Sequence, residues 1–204
     1  MSPSEIAACL AYALSVWLAA RNNIHTWWIG IIGCGLYAWV FYSVQLYADV
    51  TLQFFFIITS ITGWLHWLKG NRGDVLPVRR TRPGHFFILL ACAMSVAAVY
   101  GLILHLYTNA WAPWLDSIIL TFSVLAQFML MGRRLENWYV WITVDVIYIG
   151  LYAYKELYLT SFLYAVFLSM CLVGLWQWRK AQQLDPAPVL GLAVQPGREA
   201  ASHD

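Results

Sequence analysis

The sequence predicts an all-α membrane protein with seven transmembrane helices, arranged as two parallel three-helix repeats with one helix between them. Three observations support this prediction. The chain is 61% hydrophobic and only 11% charged, whereas a soluble domain carries about a quarter charged residues. Seven apolar segments approach the ~17–25 residues that cross a bilayer as a helix. A sequence repeat relates the first three segments to the last three.

The seven predicted spans follow one another along most of the chain. They are approximately Ser4–Ala20, Thr26–Leu46, Val50–Leu68, His85–Tyr107, Leu115–Met131, Trp138–Leu157 and Leu159–Trp178. No basic segment precedes the first span, so it is expected to be a mature helix rather than a cleaved signal peptide. Spans 2 and 3, and spans 6 and 7, are joined by very short connections and are therefore expected to be antiparallel neighbours.

The repeat has an offset of 111 residues, the difference between 138 and 27. Shifting residues 27–69 by this offset places them on residues 138–180 without a gap. Identical pairs include Trp27 and Trp138, Ile31 and Ile142, Tyr37 and Tyr148, Gly63 and Gly174, and Trp67 and Trp178. An internal repeat in an apolar chain is typical of transporters, in which the solute site lies between the repeats.

Basic residues are distributed very unequally between the two sets of loops. Of the 12 Lys and Arg residues, only Lys155 falls on one side of the predicted membrane. The others are Arg21, Lys69, Arg72, Arg79, Arg80, Arg82, Arg133, Arg134, Arg179, Lys180 and Arg198. By the positive-inside rule, the side that holds them is cytoplasmic. The N-terminus is therefore predicted outside and the C-terminus inside.

The single span between the repeats determines their relative orientation. Because span 4 intervenes, both three-helix units enter the membrane from the same side, as in the SWEET sugar transporters. The predicted fold is therefore a SWEET-like 3+1+3 parallel repeat. Its predicted parts are repeat 1 at residues 1–69, a basic cytoplasmic loop and linker helix at 70–114, repeat 2 at 115–180, and a disordered cytoplasmic tail at 181–204.

Span 6 carries the sharpest group of candidate binding residues. Trp138, Trp141, Asp145 and Tyr148 recur at steps of three and four, which places them on one face of a helix. Asp145 would lie roughly 12 Å from the cytoplasmic end of the span. A carboxylate at that depth costs about 2.5–3.5 kcal/mol on insertion scales, so it is expected to face a cavity, a partner or a ligand. Packing against a neighbouring helix is the alternative.

Comparison of the two repeats separates scaffold from candidate specificity residues. Trp138 has an identical partner in repeat 1, which favours a scaffold role. Trp141 and Asp145 have Gly30 and Cys34 as their partners. Repeat 2 therefore adds a large ring and a charge where repeat 1 has small residues, and such departures from symmetry are where ligand specificity is expected.

Polar residues on other spans extend the candidate site. Gln53 and Tyr164 occupy equivalent positions in the two repeats and can hydrogen-bond a polar solute; an interhelical hydrogen bond is the alternative. Ser60 and Gln127 are further candidates. The complete set of candidate binding residues is Trp141, Asp145, Tyr148, Gln53, Tyr164, Gln127, Trp138 and Ser60, with Asp116 and Asp49 as candidates for an outer gate.

Other chemistry has little support in the sequence. The five histidines have no paired metal spacing, no P-loop is present, and no Ser-His-Asp arrangement can be specified. The four cysteines lie far apart in apolar segments and are expected to be small buried hydrophobes without disulfides. We therefore expect no enzyme activity, metal, cofactor or nucleic-acid partner. A membrane-embedded enzyme and a non-transporting assembly subunit stay as alternatives from other classes.

Several segments resemble the PnuC family of bacterial vitamin transporters, and the resemblance covers nearly all seven spans. The segments are Gln45-Leu46-Tyr47-Ala48, Leu52-Gln53, Gly63-Trp64, Asp116-Ser117, Glu136-Asn137-Trp138, Trp141 and Asp145. The resemblance implies uptake of nicotinamide riboside by facilitated diffusion across the bacterial inner membrane. It also implies trapping of the vitamin by a cytoplasmic kinase, and a homotrimer.

The chain departs from this family's pattern at three positions. Asn is common in its nicotinamide riboside carriers where this chain has Ser60, Asp145 and Val173. Relatives in the family carry thiamine or riboflavin, so these two vitamins stay open as alternatives. Nicotinamide riboside and thiamine are both cations with a flat ring. Asp145 could balance either charge, and Trp141 could stack on either ring, whereas neutral riboflavin would gain less from Asp145.

Overall fold

The residues that the structure describes fold into seven α-helices, which confirms the predicted fold class. The computed structural model describes residues 3–43, 47–70, 77–108, 112–156 and 158–184, with side chains 5, 47–49, 51 and 159 outside the description. The helices are α1 Pro3–Ala20, α2 His25–Ser43, α3 Tyr47–Lys69, α4 Pro83–Tyr107, α5 Pro113–Met131, α6 Asn137–Tyr154 and α7 Tyr158–Leu184.

The helix ends follow from local sequence. Pro83 and Pro113 open α4 and α5, where a proline loses no hydrogen bond because the first N–H groups of a helix are unpaired. Helix α7 continues to Leu184, beyond the predicted boundary at residue 180, because Ala, Gln and Leu favour helix. The remainder of the predicted tail, residues 185–204, lies outside the described residues.

The helix contacts repeat with twofold symmetry. Within the repeats, α1 packs on α2 and α2 on α3, and likewise α5 packs on α6 and α6 on α7. Between them, α1 contacts α7 and α3 contacts α5. Exchanging the repeats (α1 for α5, α2 for α6, α3 for α7) converts each of these contacts into another member of the set. This is the arrangement that a parallel repeat with an axis along the membrane normal requires.

Helix α4 stands at the edge of this arrangement and packs on α5. Its buried residues are Ala93, Ala97 and Gly101, one turn apart on a single face, and a Cβ at Gly101 would lie 2.7 Å from the Trp114 ring. Small residues thus bring α4 close to α5. The remaining faces of α4 expose large apolar side chains such as Phe87, as expected of a helix surrounded by lipid.

Hydropathy supports membrane insertion of the described helices. By length and composition, three of them can cross a bilayer: Pro83–Tyr107, Pro113–Met131 and Thr160–Leu184. Ile6–Ala20 is a shorter apolar helix. The tryptophan and tyrosine residues of α2 and α6 lower their mean hydropathy, although such rings are common in membrane helices at the interfaces.

Each repeat is held together by a tryptophan ring against a glycine. A Cβ on Gly63 would lie 2.5 Å from the Trp27 ring, and one on Gly174 would lie 2.7 Å from the Trp138 ring. The two pairs are related by the offset of 111. Only glycine leaves room for the ring, so this contact sets the spacing of α2 from α3 and of α6 from α7.

The same rings form a tryptophan cluster, Trp27, Trp67, Trp138 and Trp178, which joins the repeats. Trp27 meets Trp67 edge-on at 5.3 Å, and Trp138 meets Trp178 edge-on at 5.5 Å. Trp67 and Trp178 then approach each other across the repeats at 6.2 Å. The cluster lies at the basic end of the bundle, which we define by the helix ends that carry Arg21, Lys69, Arg133, Arg134 and Arg179.

Two reciprocal hydrogen bonds close the basic end. Trp67 Nε1 of repeat 1 donates to the carbonyl of Met131 at the end of α5 (3.1 Å), and Trp178 Nε1 of repeat 2 donates to that of Ala19 near the end of α1 (3.0 Å). Arg133 adds a third link, because its guanidinium lies 4.0 Å from the centroid of the Trp67 ring. Burial lowers the pKa of Arg133 to about 10, so the group stays charged at neutral pH.

The basic linker is docked on the loop between α5 and α6. Arg79 N donates to the carbonyl of Arg133 (3.0 Å), and Leu135 N donates to the carbonyl of Arg79 (2.9 Å). Glu136, only 6% exposed, accepts a hydrogen bond from Thr81 N at 2.9 Å. Its other oxygen lies 3.8 Å from Arg80 Nε. Glu136 therefore holds a segment that precedes α4 against repeat 2.

Substituting Gly174 with Ala should destabilise the protein, since the added Cβ would overlap the Trp138 ring and overpacking costs about 1–3 kcal/mol. The expected result is a lower apparent melting temperature of the purified protein in detergent. The matched control is Gly150→Ala in α6, where a Cβ would meet nothing within 4 Å and helix propensity improves. Equal melting temperatures for the two variants would contradict the assigned role of the contact.

Replacing Glu136 with Ala should release the linker, because the carboxylate pairs with both Arg80 and Thr81 N. Hydrogen–deuterium exchange is expected to become faster in peptides that cover residues 77–82. Glu156→Asn is the control: Glu156 is exposed and has a positive φ of 58°, which Asn tolerates. Unchanged exchange at 77–82 in the Glu136 variant would show that the backbone bridge alone holds the linker.

Candidate functional site

A polar network lies halfway along the helices of repeat 1. The hydroxyl of Tyr12 on α1 lies 3.0 Å from Gln53 Oε1 on α3 and 3.1 Å from Cys34 Sγ on α2. Cys34 and Gln53 are only 3% and 7% exposed. Tyr12 thus connects all three helices of the repeat at one level, through groups that cannot reach water easily.

A second network occupies the equivalent level of repeat 2. Asp145, the ninth of the 18 residues of α6, is 5% exposed. The thiol of Cys171 on α7 donates to Asp145 Oδ2 at 3.3 Å. Asp145 is the repeat counterpart of Cys34, and Cys171 is that of Ser60. Both repeats therefore carry polar groups at this level of the bundle. Among these positions, a carboxylate occurs only in repeat 2.

A stack of tyrosines adjoins Asp145. The rings of Tyr148 and Tyr164 stack at 4.3 Å between centroids, and Tyr152 lies 5.6 Å from Tyr148 and 5.4 Å from Tyr164. Tyr164 lies near both Asp145 and Tyr37 of repeat 1. The stack therefore lies between the carboxylate and the other repeat.

The two networks meet through this stack. Tyr12 lies near both Tyr37 and Tyr164, and the rings of Tyr12 and Tyr37 pack edge-on at 5.2 Å. Because α1 contacts α7, Tyr12 and Tyr164 lie where the two repeats face each other. We define the central site as the polar residues Tyr12, Gln53, Asp145, Tyr148 and Tyr164.

The predicted residues of α6 divide into two groups. Asp145 and Tyr148 belong to the central site. Trp138, at 2% exposure, belongs to the tryptophan cluster, where Gly174 and Trp178 enclose its ring. Trp141 is half-buried one turn before Asp145 and packs against both hydrophobic core clusters, the one that contains Trp138 and the one that contains Val144. Trp141 thus lies between the tryptophan cluster and the carboxylate.

The remaining predicted residues lie at different depths. Gln53 and Tyr164 belong to the central site. Ser60 and Gln127 are buried, at 6% and 8% exposure, on α3 and α5, which pack on each other.

The two gate candidates lie toward the end of the bundle opposite the basic end. Asp116 is exposed in the first turn of α5 and lies near Tyr148 and Tyr152, so it is at one edge of the tyrosine stack. Asp49 is in α3, but its side chain lies outside the described residues.

Sequence reasoning missed the roles of Tyr12, Cys34 and Cys171. The cysteines were expected to act as apolar groups, yet both that are buried bond to polar side chains, and Cys92 is exposed on α4. All four cysteines are free. A signal for Tyr12 existed in the repeat, because its counterpart Ser123 is also polar, but the similarity of α1 to α5 is weaker than that of the other helices.

The chemistry of the central site suits binding rather than catalysis. It combines one carboxylate, one amide and several flat aromatic rings in a setting with little water. No described group of three or more His, Cys, Asp or Glu side chains could hold a metal ion. Side chains of these kinds suit recognition of a flat polar solute, because rings stack on flat groups, amides and hydroxyls form hydrogen bonds, and a carboxylate balances a positive charge.

The seven described helices in a 3+1+3 parallel repeat, several of them apolar enough to cross a membrane, define with the polar residues between the repeats the class of protein: a multi-pass membrane transporter. The particular family is identified by a family model, described as nicotinamide mononucleotide transporter, that matches residues 2–180. The chain belongs to this family. It is therefore a transporter and not an enzyme, as the sequence predicted.

Characterised relatives agree with this assignment. The nicotinamide riboside transporter PnuC of Escherichia coli (strain K12) is 24% identical over 201 residues, which cover 85% of this chain and 84% of the relative. The riboflavin/roseoflavin transporter RibM of Streptomyces davaonensis is 22% identical, with 92% and 89% covered. The crystal structure of the vitamin B3 transporter PnuC superposes with a TM-score of 0.71, at 24% identity, over 87% of this chain and 81% of that one; this likeness shows the shared fold.

Proposed function

We propose that this chain is a uniporter that imports nicotinamide riboside by facilitated diffusion across the bacterial inner membrane. The observation that carries the proposal is the buried carboxylate of Asp145 beside a stack of tyrosine rings. Nicotinamide riboside is a cation with a flat ring, which matches both features. A relative named for this vitamin aligns with 85% of the chain, which supports the same choice.

The central site offers a place for each part of this solute. Trp141 and Tyr148 would flank the pyridinium ring, with a cation–π attraction of roughly 0.5–2 kcal/mol. Asp145 would face the positive charge. Gln53 and Tyr164 would bind the carboxamide or the ribose hydroxyls. Gln127 and Ser60 would complete the walls, with Trp138 at the inner boundary.

Access to the site would alternate between the two ends of the bundle. The charge distribution supports a cytoplasmic basic end, with the N-terminus outside and the C-terminus inside. The tryptophan cluster would form the inner closure, while Asp116 and Asp49 would act at the outer gate. Rocking of one repeat against the other would open each end in turn.

Uniport alone equalises concentrations, so net uptake requires removal of the vitamin inside the cell. We propose that a cytoplasmic kinase phosphorylates it, since a phosphorylated solute would no longer fit a site that presents a carboxylate. By the family resemblance the protein would assemble as a homotrimer in the bilayer. Neither a P-loop nor another ATP-coupling motif occurs in the chain.

Thiamine is the second candidate solute, since it is also cationic and aromatic and Asp145 stands where family members that carry nicotinamide riboside commonly have Asn. Riboflavin is a third, suggested by the relative named for riboflavin that aligns with 92% of the chain. Riboflavin is neutral and larger, so it gains less from Asp145. A binding titration with all three vitamins distinguishes the candidates.

Replacing Asp145 with Asn should weaken binding of a cationic vitamin by roughly tenfold to a hundredfold, because a charged interaction of about 1.5–3 kcal/mol is lost. Isothermal titration of the purified protein with nicotinamide riboside measures this change. The control is Thr143→Val, an exposed position on the same helix. Unchanged affinity in the Asp145 variant would assign this residue to packing.

Proteoliposomes that contain only this protein should equilibrate labelled nicotinamide riboside without concentrating it. Collapse of an imposed proton gradient should leave the initial rate unchanged, and addition of a vitamin kinase with ATP inside the vesicles should convert equilibration into accumulation. Accumulation of unmodified vitamin above the outside concentration would refute uniport. Failure to pass any of the three vitamins would refute the transport proposal itself.

A further inference from the structure

Tyr12 is the centre of a directed chain of hydrogen bonds. Its single hydroxyl hydrogen has two neighbours, Gln53 Oε1 at 3.0 Å and Cys34 Sγ at 3.1 Å. An amide oxygen is a strong acceptor, whereas a thiol sulfur is a weak one. The hydroxyl therefore donates to Gln53, and the Cys34 thiol donates to the hydroxyl oxygen. The chain runs from Cys34 through Tyr12 to Gln53.

This direction determines which half of the Gln53 amide is free. Because Oε1 receives the Tyr12 hydrogen, one of its two lone pairs is used. The NH₂ group, which only donates, then offers the larger remaining bonding capacity of the side chain. Gln53 is 7% exposed, so water reaches its side chain only to a small extent. An acceptor on a solute in the central site is the kind of partner that this group can take.

In repeat 2 the equivalent position holds a hydrogen-bond acceptor instead of a donor. There the Cys171 thiol donates to Asp145, and an ionised carboxylate only accepts. Cys34 of repeat 1 is the counterpart of Asp145 in repeat 2. Cys34 donates a hydrogen bond, whereas Asp145 accepts one, although the two residues occupy equivalent positions. One wall of the central site offers an amide donor and the other offers a negative charge.

We propose that Tyr12 is a positioning residue for solute selection, which holds Gln53 with its NH₂ group toward the solute so that the site selects cations bearing a carbonyl acceptor. The proposal rests on the proposed transport function. It adds the group of the solute that repeat 1 recognises, which is the carbonyl acceptor. A positively charged aromatic ring with a neutral carboxamide fits both walls. A cation without that oxygen fits only the wall of Asp145.

Substituting Tyr12 with Phe tests this inference through selectivity. The two probes are nicotinamide riboside and the riboside of unsubstituted pyridinium, which keeps the positive ring and the sugar but lacks the carbonyl oxygen. Wild-type protein should bind the first probe more tightly. In the variant, Gln53 can turn its oxygen to the solute, so affinity for nicotinamide riboside should fall about tenfold while that for the pyridinium riboside stays the same. Tyr107→Phe, 81% exposed on α4, is the control.

Substitutions at Cys34 provide an independent measurement if the Tyr12 variant does not fold. Cys34→Ser keeps a donor to the hydroxyl oxygen and should retain the wild-type ratio of the two affinities. Cys34→Ala removes that donor, so Tyr12 is less firmly directed and the ratio should decrease.

The outcomes separate the two levels of the proposal. A parallel loss of affinity for both probes in the Tyr12 or Cys34→Ala variants, or no loss for either, would overturn the positioning role and leave the transport function standing. Wild-type protein that binds neither probe nor thiamine nor riboflavin would overturn the proposed function, and the inference about Tyr12 with it.

Discussion

The contact of a tryptophan ring with a glycine, made once in each repeat, is the constraint on which the rest of the structure depends. Trp27 covers Gly63 and Trp138 covers Gly174 so closely that a single methyl group would overlap the ring. Each contact places the middle helix of a repeat against the third helix. It also turns the ring edge toward a second tryptophan, so that the two repeats meet through aromatic rings at the basic end.

Because the scaffold is symmetric, differences between equivalent residues of the two repeats in the central site are informative. The helices of both repeats adopt the same contacts, so equivalent residues reach the same level of the bundle. At that level Cys34 is replaced by Asp145 and Gln53 by Tyr164. Repeat 1 supplies an amide held by a hydroxyl, and repeat 2 supplies the carboxylate and a stacked ring. A solute bound between them would meet two chemically different walls although the backbone is nearly symmetric.

The sequence predicted the architecture well because hydropathy, loop charge and the repeat each report on the whole helix. It predicted that Asp145 and Tyr148 share one face of α6 because their spacing along the helix is regular, and it made Tyr164 a candidate because that residue is the repeat counterpart of Gln53. Tyr12 escaped prediction since a hydrogen bond between helices depends on their rotation, which the apolar composition of α1 does not specify. The docking of the basic linker on Glu136 was missed for a similar reason: local sequence does not reveal which distant carboxylate a basic segment will meet.

The tryptophan cluster also bears on how readily the basic end could open. In the packed arrangement Trp67 and Trp178 donate to carbonyls of the opposite repeat, whereas the buried Nε1 atoms of Trp27 and Trp138 have no hydrogen-bond partner in the protein. Separation of the repeats would break the first two bonds but would admit water to all four donors. An unsatisfied buried donor costs about 1–3 kcal/mol, so hydration of the second pair offsets loss of the first. The closed basic end can thus be tightly packed while its free energy stays close to that of an open state. The proposed uniport requires such a small difference.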